Sequence, residues 1–111
     1  MADMSLIKVA KDNLIKLLLG KAAAPIGLVN LQRYFRIYGE INFNKQVEDG
    51  VIIAVSTDFN QGSIVTQGRD EVELDENIKD AILTAFEVPS SYAKEAGIHR
   101  IGAATNAYAP A

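Results

Sequence analysis

Apolar residues recur at steps of three and four between residues 5 and 23, while the charged residues of this segment fall on the opposite face. The apolar positions are Ile7, Ala10, Leu14, Leu17 and Leu18. This period predicts an amphipathic helix, with Ser5 at its start. We expect Pro25 and Gly27 to end the helix and to begin a linker, so that residues 1–32 form an N-terminal unit.

The apolar face of this N-terminal helix is larger than a small domain can cover. We therefore expect Leu14, Leu17 and Leu18 to lie at a contact between the subunits of a homo-oligomer. A basic amphipathic helix that lies on a membrane surface is the alternative. The subunit contact is favoured because the polar face has only three lysines, one of them beside Asp12.

The next segment, residues 33–47, favours an extended chain. It begins with four residues that favour β-strands. Apolar residues then alternate with polar ones, which is typical of a half-buried strand. The β-formers are Tyr34, Phe35, Ile37 and Tyr38, and the alternating apolar residues are Ile41, Phe43 and Val47. The pattern predicts one long strand with a bulge or bend at Gly39.

Asp49-Gly50 follows and predicts a tight hairpin turn, because Gly adopts the positive φ that such a turn needs. Residues 51–57 are apolar on both faces, which indicates a central strand covered on both sides. A turn at residues 60–62 then leads to a short third strand over residues 63–67.

A helix is predicted from Asp70 to about Val88. Asp70 and Glu73 have the spacing of a capping box. The stripe predicted to be buried is Leu74, Ile78, Ala81, Ile82 and Ala85. We expect it to pack on Ile53, Val55 and Val65 or on their strand neighbours.

Residues 97–102 predict a last short strand, and residues 103–111 predict a loose tail or docking arm. The elements after the N-terminal unit therefore follow the order β-β-β-α-β over residues 33–102. This order predicts an α+β fold, in which one helix packs on a face of an antiparallel sheet.

The composition gives little support to an enzyme. The 111 residues include no Cys, no Trp and one His, so disulfides and thiolate metal sites are excluded. His99 has no partner at a recognisable motif spacing. Asp58 follows the second predicted strand, where a nuclease could place a metal-binding carboxylate. Two-metal chemistry needs several converging carboxylates, however, and the first predicted strand offers only Glu40. We expect no catalytic residue, no metal and no cofactor.

Charge is unevenly distributed along the chain. Residues 1–47 hold seven Lys and Arg against three Asp and Glu, and residues 48–111 hold four against eleven. Glu73, Glu76, Asp80 and Glu87 follow one side of the predicted helix at spacings of three, four and seven. This stripe is either an ordinary solvated helix face or a docking face for a basic protein, where complementary charge speeds encounter.

The stretch from Asp49-Gly50 through Val65-Thr66-Gln67-Gly68 to the helix Leu74–Ile82, with its Glu76-Asn77-Ile78-Lys79, resembles the HicB-like antitoxin family. The resemblance covers roughly residues 36–88. It implies a partial RNase-H-like β-β-β-α-β fold and the neutralisation of a small basic RNA-cleaving toxin by occlusion. Family members usually carry a C-terminal helix-turn-helix or ribbon-helix-helix, and neither pattern occurs after Pro89.

Two functions follow as expectations. The first is an antitoxin that binds a small basic toxin through the stripe of Glu73, Glu76, Asp80 and Glu87. The second is a homo-oligomeric structural module of the same fold without a toxin. The charges within residues 6–19 argue against a signal peptide and a membrane span, so we expect a cytoplasmic protein.

Overall fold

The computed structural model describes residues 26–102 and 106–110. These residues form an α+β fold, as predicted, in which helices pack on an antiparallel sheet of five strands. The helices are α1 (Ile26–Tyr38), α2 (Glu71–Ala85) and α3 (Ala93–Ala96), and a 3-10 turn, Ser90–Tyr92, precedes α3. The strands are β1 (Ile41–Glu48), β2 (Val51–Ser56), β3 (Val65–Gly68), β4 (Ile98–Arg100) and β5 (Ala107–Pro110).

The sheet has the order β3-β2-β1-β5-β4. Its first hairpin turns at Asp49-Gly50, and Glu48 pairs with Val51 across the turn. Asp49 has φ 51° and Gly50 has φ 78°. Two consecutive positive φ angles are the mark of the tight turn that suits the twist of antiparallel strands, so the hairpin prediction is confirmed.

The prediction of an extended chain over residues 33–38 is wrong, because these residues end helix α1. The helix also starts at Ile26, inside the predicted linker. Leu28, Leu31 and Tyr34 repeat at steps of three and form its buried stripe. Gly39 is the residue that follows the helix: its φ is 80°, and its N–H donates to the carbonyl of Phe35 at 3.0 Å. It is a helix cap and not a strand bulge.

The C-terminal residues 107–110 are not a loose tail. They form β5, which pairs with β1 on one side and with β4 on the other. The predicted strand at residues 97–102 is confirmed as β4, but it lies at the sheet edge because β5 occupies the place beside β1. The buried Tyr108 of β5 pairs with Ile41.

Helix α2 packs its apolar side on the sheet. Leu74, Ile78 and Ile82 are fully buried, as predicted, and Ala81 is partly buried. Ala85 is exposed because the helix ends there, three residues before Val88. Burial of each large apolar side chain contributes about 1.5–3 kcal/mol, so this stripe is the main link between helix and sheet.

Of the two alternatives expected for the sheet surface under α2, the structure selects the strand neighbours and not Val55 and Val65 themselves. Residues that pair across antiparallel strands share a face, and Val55 pairs with Val65 on the face that points away from α2. Val65 is 63% exposed and Val55 is 37% exposed. Their neighbours Ala54 and Ile64 are buried with α2. Strand β2 is therefore interior in the sheet order but is not covered on both faces.

Helix α1 extends the same core toward the end of α2. A Cβ atom on Gly27 would lie 2.4 Å from the carbonyl oxygen of Phe86, so the close approach of the two backbones requires Gly there. The ring of Tyr34 lies 5.4 Å from the ring of Phe86 and 5.2 Å from that of Phe59. Its hydroxyl accepts a hydrogen bond from the N–H of Asn60 at 3.0 Å.

We expect Ile78→Ala to lower the free energy of unfolding by about 2–5 kcal/mol, because it opens a cavity in the centre of a small core. Val72→Ala is the matched control on the same helix, since Val72 is 77% exposed. The control should change stability by less than about 0.5 kcal/mol. Urea denaturation measures both, and equal losses for the two variants would contradict the assigned helix face.

Candidate partner-binding surface

The acidic surface begins at the N-terminus of α2, where two carboxylates are held in place. Asp70 accepts a hydrogen bond from the N–H of Glu73 at 2.8 Å, which confirms it as the helix cap. Glu73 turns back to Arg69: its two carboxylate oxygens lie 3.2 Å from the backbone N and from Nη2 of that residue. The Glu73 carboxylate is thus partly neutralised and has a fixed position.

The structure places three of the four predicted binding residues on one side of α2. Glu73, Glu76 and Asp80 belong to the helix at spacings of three and four, and the side chain of Glu76 is 71% exposed. Glu87 does not continue the stripe, because it lies two residues past the helix with φ 56°. That all four bind a partner stays a prediction.

Cations compensate part of this acidic surface. Lys79 lies 2.8 Å from a carboxylate oxygen of Asp75 and 3.6 Å from one of Glu76. Lys45, on β1, lies 2.8 Å from the carboxylate of Glu71. The contact of Lys79 with the exposed Glu76 contributes only about 0–1 kcal/mol, so it leaves Glu76 available for a different partner.

A cluster that the sequence did not reveal joins α2 to β5. The hydroxyl of Tyr108 donates to the carboxylate of Asp75 at 2.6 Å, and Lys79 reaches the other oxygen of the same carboxylate.

The contacts in this cluster shift the pKa values of all three residues. Burial acts to raise the pKa of Asp75, but the hydrogen bonds from Lys79 and Tyr108 outweigh it and lower the pKa. The hydrogen bond to Asp75 in turn raises the pKa of Lys79. Burial raises the pKa of Tyr108, and its hydrogen bond to Asp75 raises it further.

This cluster assigns different roles to neighbouring carboxylates. Asp75 faces the sheet and fixes β5, whereas Glu76 faces solvent. No local pattern along the chain indicates the cluster, because Asp75 and Tyr108 are 33 residues apart and Tyr108 lies in the predicted tail.

A groove of about 430 Å³ runs between α2 and the start of β3. Asn77, Asp80, Ala81 and Thr84 line its helix side, and residues 63–66 line its strand side. The side-chain amide of Asn77 donates to the carbonyl oxygen of Gln67 at 2.7 Å and ties the helix to the strand edge. Asp80 therefore belongs both to the acidic surface and to this groove.

The residues considered for a nuclease do not form a cluster. Both carboxylate oxygens of Asp58 accept hydrogen bonds from Asn42, one from its backbone N–H at 2.8 Å and one from its side-chain amide at 2.7 Å. The ring Nδ1 of His99 lies 3.2 Å from the carbonyl oxygen of Gly97. Within residues 26–102 and 106–110, no group of three or more His, Cys, Asp or Glu could hold a metal ion.

The predicted subunit contact, Leu14, Leu17 and Leu18, lies outside the described residues, as does the helix predicted over residues 5–23. In the part of the chain that the structure describes, no helix is long and apolar enough to cross a membrane. No family model, no curated protein and no solved structure matches this chain.

We expect Tyr108→Phe to lower the free energy of unfolding by about 1–2 kcal/mol near neutral pH, because it removes a hydrogen bond to a charged acceptor. Asp75 has a pKa below its usual 3.8 in the folded chain, so its contribution to stability is present above that value and is lost as the pH falls through the folded-state pKa. The cost of Tyr108→Phe should shrink over the same acidic range.

Urea denaturation at about pH 7 and at a pH low enough to protonate Asp75 in the folded chain measures this dependence. Tyr38→Phe is the matched control, since Tyr38 is 55% exposed and its hydroxyl makes no hydrogen bond to the described residues. It should cost less than about 0.5 kcal/mol at either pH. A cost for Tyr108→Phe that is equal at both pH values would show that Asp75 is not its energetic partner.

Proposed function

We propose that this chain is a protein-binding module of the HicB-like antitoxin type, which neutralises a small basic RNA-cleaving toxin by covering its active surface. The observation that carries the proposal is the solvent-facing pair Glu76 and Asp80 on a rigid helix. Helix α2 holds five carboxylates and one Lys, and its buried stripe fixes which of the carboxylates face outward.

The physical logic is competition for the same cationic side chains. An RNA-cleaving protein binds the phosphate backbone through Lys and Arg, and a surface with several carboxylates attracts those groups in the same way. Complementary charge mainly raises the rate of association and sets orientation. Because the opposing surface of the toxin is then covered, inhibition needs no chemistry from this chain.

The resemblance over residues 36–88 supports the choice of toxin class. It also leads us to propose that the protein acts in the cytoplasm, where such a toxin meets its RNA. The predicted N-terminal helix would assemble the binding domains into an oligomer.

A homo-oligomeric structural module without a toxin is the second candidate. Two exposed apolar side chains on the outer sheet face, Val55 and Val65, favour it, since exposed apolar surface promotes association. The two candidates differ in a simple property: only the first requires a short basic protein that co-purifies with this chain and loses its RNA-cleaving activity when bound.

The test first asks whether a short basic protein is encoded beside this gene; that protein is then co-expressed and purified with the full chain. We expect Glu76→Lys with Asp80→Lys to slow its association by about tenfold at low ionic strength, with a smaller difference at high salt, since exposed charges are screened within about 8 Å at physiological ionic strength. Stopped-flow fluorescence measures the rates, and circular dichroism confirms the fold.

Glu40→Lys with Glu48→Lys is the matched control, because both residues are exposed and lie outside α2. It changes the net charge equally and should alter association much less. Equal effects of the two double variants would move the interface away from α2. Metal-dependent RNA cleavage by the chain alone, abolished by Asp58→Asn, would replace the binding function with an enzymatic one.

A further inference from the structure

Strand β3 leaves one edge of the sheet open among the described residues, because it pairs only with β2. The N–H of Ser56 donates to the carbonyl of Ile64 at 2.9 Å, so the backbone groups of Ile64 face β2. Backbone direction alternates along a strand. The N–H and C=O groups of Val65 and Gln67 therefore point away from the sheet, in agreement with the bond from Asn77 to the carbonyl of Gln67.

Nothing in the sequence of β3 blocks this edge. Natural edge strands are commonly protected by Lys, Pro or a bulge. The strand reads Val-Thr-Gln-Gly, and its register with β2 is continuous over all four residues. Within residues 26–102 and 106–110, the outward N–H of Val65, its C=O and the N–H of Gln67 have no partner strand and are available to an added strand.

Helix α2 forms a wall beside this edge. The side chains on this wall are Asn77, Asp80, Ala81 and Thr84, which follow one line of the helix at steps of three and four. Ala81 and Thr84 are small and leave room, while Asp80 places a carboxylate in the groove. An extended peptide lies about 4.8 Å from its neighbour strand, so a segment in this groove would meet both the open edge and the helix wall.

We propose that this groove receives an extended segment of the partner protein as a sixth strand, with a Lys or Arg side chain at Asp80. The inference rests on the proposed function, since the partner is the basic protein inferred above. Main-chain hydrogen bonds to Val65 and Gln67 supply affinity in such strand addition, and the side chains along the groove supply specificity.

The charge of the groove decides between a partner and a second copy of this chain. If β3 paired with β3 of another copy, a two-fold axis would bring the two α2 walls together. Each wall carries Asp80, so like charges would meet. A basic segment removes this repulsion and pairs with the carboxylate instead.

The first experiment follows amide hydrogen exchange in the full chain by nuclear magnetic resonance. In the free protein, the amides of Val65 and Gln67 should exchange quickly, and those of Thr66 and Gly68 should be protected by β2. The probe is a displayed library of linear twelve-residue peptides. Enriched peptides should contain Lys or Arg among β-branched residues, and their binding should slow exchange at Val65 and Gln67 by at least about tenfold.

Variants then separate the edge from the wall. Val65→Pro removes an outward N–H without removing a bond to β2, so it should weaken peptide binding by about tenfold or more, whereas Val65→Ala should retain binding. Thr84→Phe fills the groove from an exposed helix position and should also abolish binding. Val72→Phe, at an exposed position outside the groove, is the control for Thr84→Phe. The Thr84→Phe variant keeps the test valid if Val65→Pro fails to fold.

Several results would overturn the groove. These are a library without enriched peptides, binding that is unchanged by Thr84→Phe, and protection of Val65 and Gln67 in the free chain, which would mean that a second copy or residues 1–25 already occupy the edge. If the short basic protein binds with unaltered affinity to Val65→Pro and Thr84→Phe, strand addition in the groove is disproved, whereas the proposed function is not. If peptides bind at the edge but that protein does not bind, the proposed function is disproved, whereas the groove is still a site for an extended segment.

Discussion

The burial of one side of α2 against the inner face of the sheet determines the rest of this structure. Leu74, Ile78 and Ile82 are fully enclosed, and each would lose about 1.5–3 kcal/mol if it were exposed. Once these three positions are fixed, the helix cannot rotate. The directions of all its other side chains follow, including the carboxylates that face solvent and the small residues beside the edge of β3.

The fixed helix divides its carboxylates into three environments. Asp70 and Glu73 lie at the N-terminus, where the helix dipole favours negative charge and where each accepts a backbone N–H. Asp75 faces β5 and binds Tyr108, which anchors the C-terminal strand between β1 and β4. Asp80 is exposed and borders the groove. One acidic segment therefore stabilises the helix, holds the sheet together and supplies the proposed binding surface.

The helix α1 shows where local preference and tertiary packing compete. Tyr34, Phe35 and Tyr38 favour strands by propensity, but this preference amounts to about 1 kcal/mol and depends on context. Tyr34 instead gains a place among the rings of Phe59 and Phe86, and only a helix lets Leu28, Leu31 and Tyr34 reach the core together. A strand of these residues would place Leu28 and Leu31 on opposite faces.

The sequence by itself determined the features that depend on near neighbours: the Asp49-Gly50 turn, the cap at Asp70, the buried stripe of α2 and the α+β class. Each follows from backbone sterics or from a short period of apolar residues. The spacing of Glu73, Glu76 and Asp80 along one helix side is likewise a local property of the sequence. Only the tertiary structure decided which face of β2 meets the helix, that residues 107–110 enter the sheet, and that Asp75 binds Tyr108. These depend on contacts between distant residues, whose energies exceed local preferences and leave no periodic trace along the chain.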